Sequence, residues 1–387
     1  MIKVYLDWNC ITHCKNTLSE FYELLMRYSN VFICPFGVAH LRDVQTKPDA
    51  NPTEYQKDLD QLTDICGRNM LLCSGNEINL QNVTPRQYLD DAKSDLNFLQ
   101  NKFIFPYAKV RKIFRMAFSK QDILKVSGET DSQKVFPLAD DIVKRTIGCD
   151  IDSVVEKLFP SVEQTLELKI KQTYFVLDML GYKTEDKRKS FANLDTDAHH
   201  IFLAYFCDYL VSDDEKMRDK AKVIYSHFQC TTKVMDSQSF MKEMPFIVEK
   251  CYDHDSIPEI MKINGFPEIQ NNQNHYKALQ YPLWGTFKYC LNASALDPAQ
   301  PDNMAYFVTD NRFLFYDELE PLVRIVSLFL PESERDSFVE KYIQSFVYKH
   351  PLGDIQFTFD TPNYIYNCVL KTYEGQPILQ VTYEIPS

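Results

Sequence analysis

Apolar positions along the chain follow two periods, and the switches between them outline the fold. "IKVYLD" (2–7) is a largely apolar run ending in Asp7, the pattern of a buried strand. Leu18, Phe21, Leu24, Leu25 and Tyr28 then recur at spacings of three and four, which predicts an amphipathic helix. "VFICP" (31–35) predicts a second strand closed by Pro35, and "FGVAHLRDV" a short helix carrying His40 and Asp43 one turn apart. Pro48, Asn51 and Pro52 break this pattern and mark a boundary. From about 54 to 190 the reading is mostly helical, clearest in "PRQYLDDAKSDLNFLQ" (85–100) and "PYAKVRKIFRMAF" (106–118).

The periods alternate again further on. "TDAHHIFLAYFCD" (196–208) predicts a helix capped by Thr196, and "YLVS" (209–212) a strand. A helix over about 214–227, a strand near 232–235 and a helix begun by "DSQSFMKE" complete a strand–helix alternation that calls for a parallel α/β sheet. Beyond about 245, prolines interrupt the chain and the end becomes β-rich. "DIQFTFD", "YIYNCVLKTY" and "PILQVTYEI" are three alternating runs, the last two joined by "EGQ", which predicts an antiparallel meander. No repeat or low-complexity segment is present.

Length adds to this picture that 387 residues exceed an ordinary single domain, so two units or one domain with large insertions are expected. With 45% apolar and 13% aromatic residues the chain is not disordered. None of the 10 glycines forms GxGxxG or GxxxxGK[ST], which excludes the familiar nucleotide-cradling loops. The 11 cysteines include no CxxC pair and read as reduced, mostly buried thiols. "MIKVYLD" lacks the basic and apolar regions of a signal peptide, no apolar run approaches membrane-spanning length, and a cytoplasmic location is expected. A formal net charge of −12 repels polyanions unless basic residues cluster locally or metal ions neutralise grouped carboxylates.

Candidate chemistry gathers at two strand ends. In an open parallel sheet the ligand site lies beyond the carboxyl ends of the strands, where Asp7 and Asp214 both fall, and Asp197 opens the helix that feeds the second strand. Like charges brought together cost several kcal/mol unless a cation sits between them. An all-oxygen ligand set favours Mg²⁺ or Mn²⁺, which would activate water and steady a phosphoryl transition state.

These stretches carry a resemblance. "VYLDWNCI", followed far downstream by "DAHHIFLAYFCDYLVSDDEKMRDKAKVIY", resembles the PIN-domain nucleases, whose pattern is a strand ending in Asp, a helix begun by Asp and a strand ending in Thr/Ser-x-Asp. The resemblance implies that Asp7, Asp197 and Asp214 bind metal, that Asn9 and Ser212 orient them and that Asp213 adds an outer ligand. The family's fourth acid, usually a Glu after the second strand, is missing here. Asp43 is favoured in its place because it keeps the site all-carboxylate, with His40 in reserve. The expected fold is a PIN-like α/β domain (1–45 and 190–245) with a helical insertion (46–189) and an α+β C-terminal region (246–387) ending in the meander. The expected activity is metal-dependent hydrolysis of nucleic acid, RNA on the family's precedent.

Each residue has a plainer rival. Asp213 and Asp214 could simply cap a helix, and His199 and His200 read as helix-face residues. Lys109, Lys112 and Arg115 form either a solvated helix face or an RNA-binding stripe. Lys187, Arg188 and Lys189, just before Asp197, read equally as substrate contacts or a solvated loop. "FVTDNRF" (307–313) imitates the Ser/Thr-x-Asp signature but has no Asp-initiated helix before it, and reads as a strand and turn. Two other function classes stand beside the nuclease. A haloacid-dehalogenase-like phosphatase would need an Asp where Asn9 stands. A non-catalytic protein of the same fold would use the C-terminal region for a protein partner.

Overall fold

The structure is a computed structural model of the chain. It describes all residues except 17–18, 46–51, 75–76, 92–106, 159–164, 185–190, 263–269, 272–273, 298, 311–313, 348–352, 374 and 387. The chain forms two compact units, one of Lys3–Glu23 and Cys34–Met241, the other of Met1–Ile2, Leu24–Ile33 and Lys242–Ser387. Among the described residues no helix is long and apolar enough to cross a membrane.

The first seven strands are β1 (Ile2–Leu6), β2 (Phe32–Ile33), β3 (Phe36–Gly37), β4 (Asn69–Ser74), β5 (Glu77–Asn82), β6 (Tyr209–Val211) and β7 (Lys233–Met235). β1, β6 and β7 are neighbours, in that order, in a parallel sheet. Val4 to Leu6 pair in parallel with Tyr209 to Val211, which pair in turn with Lys233 to Met235. This register places Asp7 and Ser212 side by side beyond the last paired residues. The Asp7 N–H donates to the Val211 carbonyl at 2.9 Å and the Ser212 N–H to that of Met235 at 3.1 Å. All five residues of β1 are buried, as expected of a parallel strand covered on both faces.

The helices around this edge follow from local signals. Asp7 caps the Trp8–Asn16 helix through the Asn9 N–H, and Asp214 caps the Glu215–His227 helix by accepting from the Met217 N–H at 3.0 Å. The Phe191–Ala204 helix packs on the Val38–Gln45 and Leu166–Met179 helices, and the Pro52–Cys66 helix on Trp8–Asn16 and Val38–Gln45. Gly37 permits the first of these approaches, because a Cβ there would stand 2.5 Å from the Leu203 side chain. Deep in the same unit, Asp178 and Lys220, both fully buried, pair at 3.4 Å. Arg111 at 3.0 Å and the Tyr107 hydroxyl at 2.7 Å also bind Asp178, so its charge is compensated rather than stranded.

Three expectations change. The apolar spacing around 18–28 belongs to the second of two helices, Trp8–Asn16 and Ser19–Arg27. The segment expected to be helical after residue 54 also contains the antiparallel β4–β5 pair, with β3 parallel to β4. The helix expected to start at Thr196 begins at Phe191, so Asp197 lies well inside it.

In the second unit β10 (Lys277–Leu283), β11 (Phe287–Asn292), β12 (Met304–Val308), β13 (Ile355–Asp360), β14 (Ile365–Tyr373) and β15 (Gln376–Glu384) follow the short strands β8 (Gln270–Asn271) and β9 (Asn274–His275). The six long strands form an antiparallel sheet in the order β10–β11–β12–β15–β14–β13. Its last three strands are the meander anticipated from their alternation. On β13, Phe357 and Phe359 are buried between exposed Gln356, Thr358 and Asp360. They join a core with Trp284, Leu322 and Val323, the last two from the Tyr316–Ser327 helix. β12 supplies the strand expected within "FVTDNRF", whose residues 311–313 lie outside the described set.

Candidate active site

Among the described residues, five chain segments line a cleft of about 520 Å³ at the carboxyl edge of β1 and β6. Asp7, Trp8, Asn9 and Thr12 come from the end of β1 and the first turns of the following helix, and Asp43 from the Val38–Gln45 helix. The Pro52–Cys66 helix contributes Glu54, Asp58 and Gln61. The Phe191–Ala204 helix contributes Asn193, Asp197 and His200, and Asp214 and Met217 close the lining. Both three-residue sets are spaced by four and then three, which puts each set on one face of its helix. Six carboxylates therefore face one cavity.

Each acid expected from the sequence has a defined hold. Asp7 is 3% exposed, and its carboxylate accepts from the Asn9 N–H and the Ser212 hydroxyl. Burial raises its pKa above the usual carboxylate value, and the nearby Asp43 charge adds to that, against the lowering effects of Ser212, His200 and Asn9. The Ser212 hydroxyl also accepts from the Asp214 N–H at 3.1 Å, so one buried side chain ties the two strand-end acids together. Asp197 accepts from the Tyr174 hydroxyl at 3.3 Å. The Lys220 ammonium sits 4.3 Å above the Tyr174 ring, anchoring that donor through the buried Asp178 pair.

His200, which the sequence reading set aside as a helix-face residue, is a member of the site. Its Nε2 lies 2.8 Å from Asp43 Oδ2 and its Nδ1 2.9 Å from the Tyr5 hydroxyl. Burial disfavours its charged form, yet hydrogen bonding to Asp43 and the charges of Asp43, Asp7 and Asp197 outweigh this and raise its pKa. Once protonated, this imidazole offsets part of the cleft's negative charge. His40 stands behind it, fully buried, with Nε2 donating to the Leu6 carbonyl at 2.7 Å and Nδ1 3.3 Å from the Tyr5 hydroxyl. Burial and the proximity of His200 drive the His40 pKa well below its ordinary value. Of the two alternatives on the Val38–Gln45 helix, Asp43 lines the cleft and His40 braces Tyr5. His199 is buried with Nδ1 3.6 Å from Glu167.

Other expected residues lie elsewhere. Asp213 accepts from the Ser237 N–H at 3.0 Å and its hydroxyl at 2.8 Å, and so fixes the start of the Ser237–Cys251 helix instead of lining the cleft. Arg115 donates to the carbonyls of Met179 at 2.7 Å and Asp178 at 2.8 Å, satisfying the C-terminal end of the Leu166–Met179 helix. That guanidinium is committed to the fold and not to an RNA-binding stripe. Lys109 and Lys112 are exposed on the Tyr107–Met116 helix, away from the lining residues. Lys187, Arg188 and Lys189 lie outside the described residues.

Among the described residues no three His, Cys, Asp or Glu side chains are already gathered about one point where a metal ion could sit. The donor chemistry nonetheless fits Mg²⁺ or Mn²⁺. Every anionic group of the lining is a carboxylate, and Mg²⁺ commonly keeps several waters while binding through only one or two carboxylates and the substrate phosphate. Glu54 and Asp58 are the acids that the sequence reading missed. Their i, i+4, i+7 spacing with Gln61 puts them on one helix face but does not distinguish a face turned to a cavity from one turned to solvent. Models of known protein families, curated proteins and solved structures were all compared with the chain, and none matches it.

Proposed function

We propose that the cleft is the active site of a metal-dependent nuclease of PIN-like fold that hydrolyses phosphodiester bonds. One observation carries the proposal: Asp7, Asp43, Asp197 and Asp214, drawn from four distant stretches, meet in a single cleft at the carboxyl edge of a parallel sheet. Grouped carboxylates are costly to maintain, and a hard divalent cation offsets that cost. The preference for RNA follows the family resemblance.

Within this reading Asp7, Asp43, Asp197 and Asp214 would hold one or two Mg²⁺ or Mn²⁺ ions, with Glu54 and Asp58 on the same cavity. Such an ion, when bound, polarises a phosphoryl oxygen and lowers the pKa of a coordinated water. The chain's own part is preorganisation. Ser212 and the Asn9 N–H fix the Asp7 carboxylate, the Met217 N–H fixes Asp214, Tyr174 fixes Asp197 and His200 fixes Asp43. These hydrogen bonds limit the charge reorganisation needed as the phosphorane charge develops.

The test is cleavage of a labelled single-stranded RNA at limiting Mg²⁺ by wild type and Asp214→Asn. Asn retains the helix cap but removes the charge, so activity should fall at least about a hundredfold, equivalent to losing a few kcal/mol of metal-borne stabilisation, while the melting temperature holds. An unchanged cleavage rate would overturn the assignment.

A further inference from the structure

Resting on the nuclease reading, we propose that Trp8 is the stacking platform for an unpaired base beside the scissile phosphate, so that the substrate is a single-stranded polynucleotide. Trp8 follows Asp7 directly and, among the described residues, is the one tryptophan, tyrosine or phenylalanine in the cleft lining. It is half-buried, and among the described residues its indole has neither a hydrogen-bond partner nor a neighbouring ring. That is an unusual position for a large apolar ring, whose burial against another ring would stabilise the fold. Trp284 shows the ordinary alternative: 1% exposed, donating to His254 at 2.8 Å and packed among Phe287, Phe329, Phe357 and Phe359.

The surroundings of Trp8 select the part of the ligand it can bind. Among the described residues the sole basic side chain on the lining is His200, already engaged by Asp43, whereas six carboxylates repel a bare phosphate chain. Stacking on a neutral indole is unaffected by that field and works with any base, because every base has a π-face. Asn9, exposed in the lining and adjacent to Trp8 in the chain, carries an amide that can pair with a base edge. In an uninterrupted duplex each base already has a stacked neighbour on both sides, so a wall-mounted indole has no face to take.

The chain contains two tryptophans, and the burial of Trp284 makes quenching by an added oligonucleotide a report on Trp8. The probes are phosphorothioate strands of equal length, namely single-stranded, abasic single-stranded, and a duplex closed at both ends by base-free linkers, with cleavage of unmodified RNA measured on the same preparation. The single strand should quench the fluorescence and the abasic strand should not. Trp8→Leu should weaken single-strand binding between about fivefold and about a hundredfold, the range of one lost base stack, with Trp8→Phe between it and wild type. Tight binding of the closed duplex, or cleavage by wild type without quenching and without a Trp8→Leu effect, would overturn the platform and leave the nuclease reading standing. Quenching without cleavage would support the platform and overturn the nuclease reading. Neither quenching nor cleavage would overturn both.

Discussion

In the C-terminal unit Trp284 lies in a closed aromatic core, while in the parallel-sheet unit Trp8 stands half-exposed on a wall shared with six carboxylates. The histidines differ in the same way. His254 accepts from Trp284, and burial, against the pull of Asp253 and Asp255, lowers its pKa; His200 is held by Asp43, and its surrounding acids raise its pKa. The C-terminal unit places its rings and polar groups where they stabilise the fold. The parallel-sheet unit accepts exposed aromatic surface and crowded like charges at one sheet edge, a local cost of the kind that marks a functional site.

Truncating a ring of the closed core should give the largest change. Phe357, 5% exposed and stacked on Phe329 at 5.2 Å between centroids, loses both burial and ring contact in Phe357→Ala. Chemical denaturation should show a loss of about 3–5 kcal/mol from the transition that carries the Trp284 signal. A loss below about 1 kcal/mol would mean that the C-terminal core is less well packed than described.

The opposite sign is expected in the cleft. The folded-state pKa of Asp7 is raised, so its ionisation costs stability as pH rises from the unfolded carboxylate value, about 3.9, through the folded one. Asp7→Asn removes that cost. Metal-free Asp7→Asn should therefore melt at a higher temperature than wild type at neutral pH, with the gain disappearing as the pH falls below about 4. A neutral-pH melting temperature below that of wild type would show that the Asp7 charge stabilises the apo fold, against the contrast drawn between the two units.

The same contrast explains what the sequence could disclose. Strands β1 and β6 were legible because a fully buried parallel strand is an unbroken apolar run, and the terminal meander because one buried face imposes strict alternation, as on β13. Asp7 and Asp214 were legible because they end such runs. Asp197 was found for a partly mistaken reason: Thr196 resembles a helix cap, yet the helix starts at Phe191 and Asp197 lines the cleft from its second turn. Glu54, Asp58 and His200 gave no local signal, since an acid or histidine facing a cavity has the same spacing as one facing solvent. β4 was missed because its short apolar run does not separate strand from buried helix by period alone, whereas the alternation of Ile78 and Leu80 on β5 is a strand signal that the helical reading passed over.

The central claim is that the carboxylates of this cleft hold a divalent cation, and anomalous diffraction from a crystal soaked in Mn²⁺ tests it most directly. The account predicts an anomalous peak within direct coordination distance, about 2.2 Å, of at least one carboxylate oxygen among Asp7, Asp43, Asp197 and Asp214, and its loss in Asp214→Asn. A soaked crystal with Mn²⁺ bound only outside the cleft, or with no peak in it at a concentration that supports cleavage, would contradict the account.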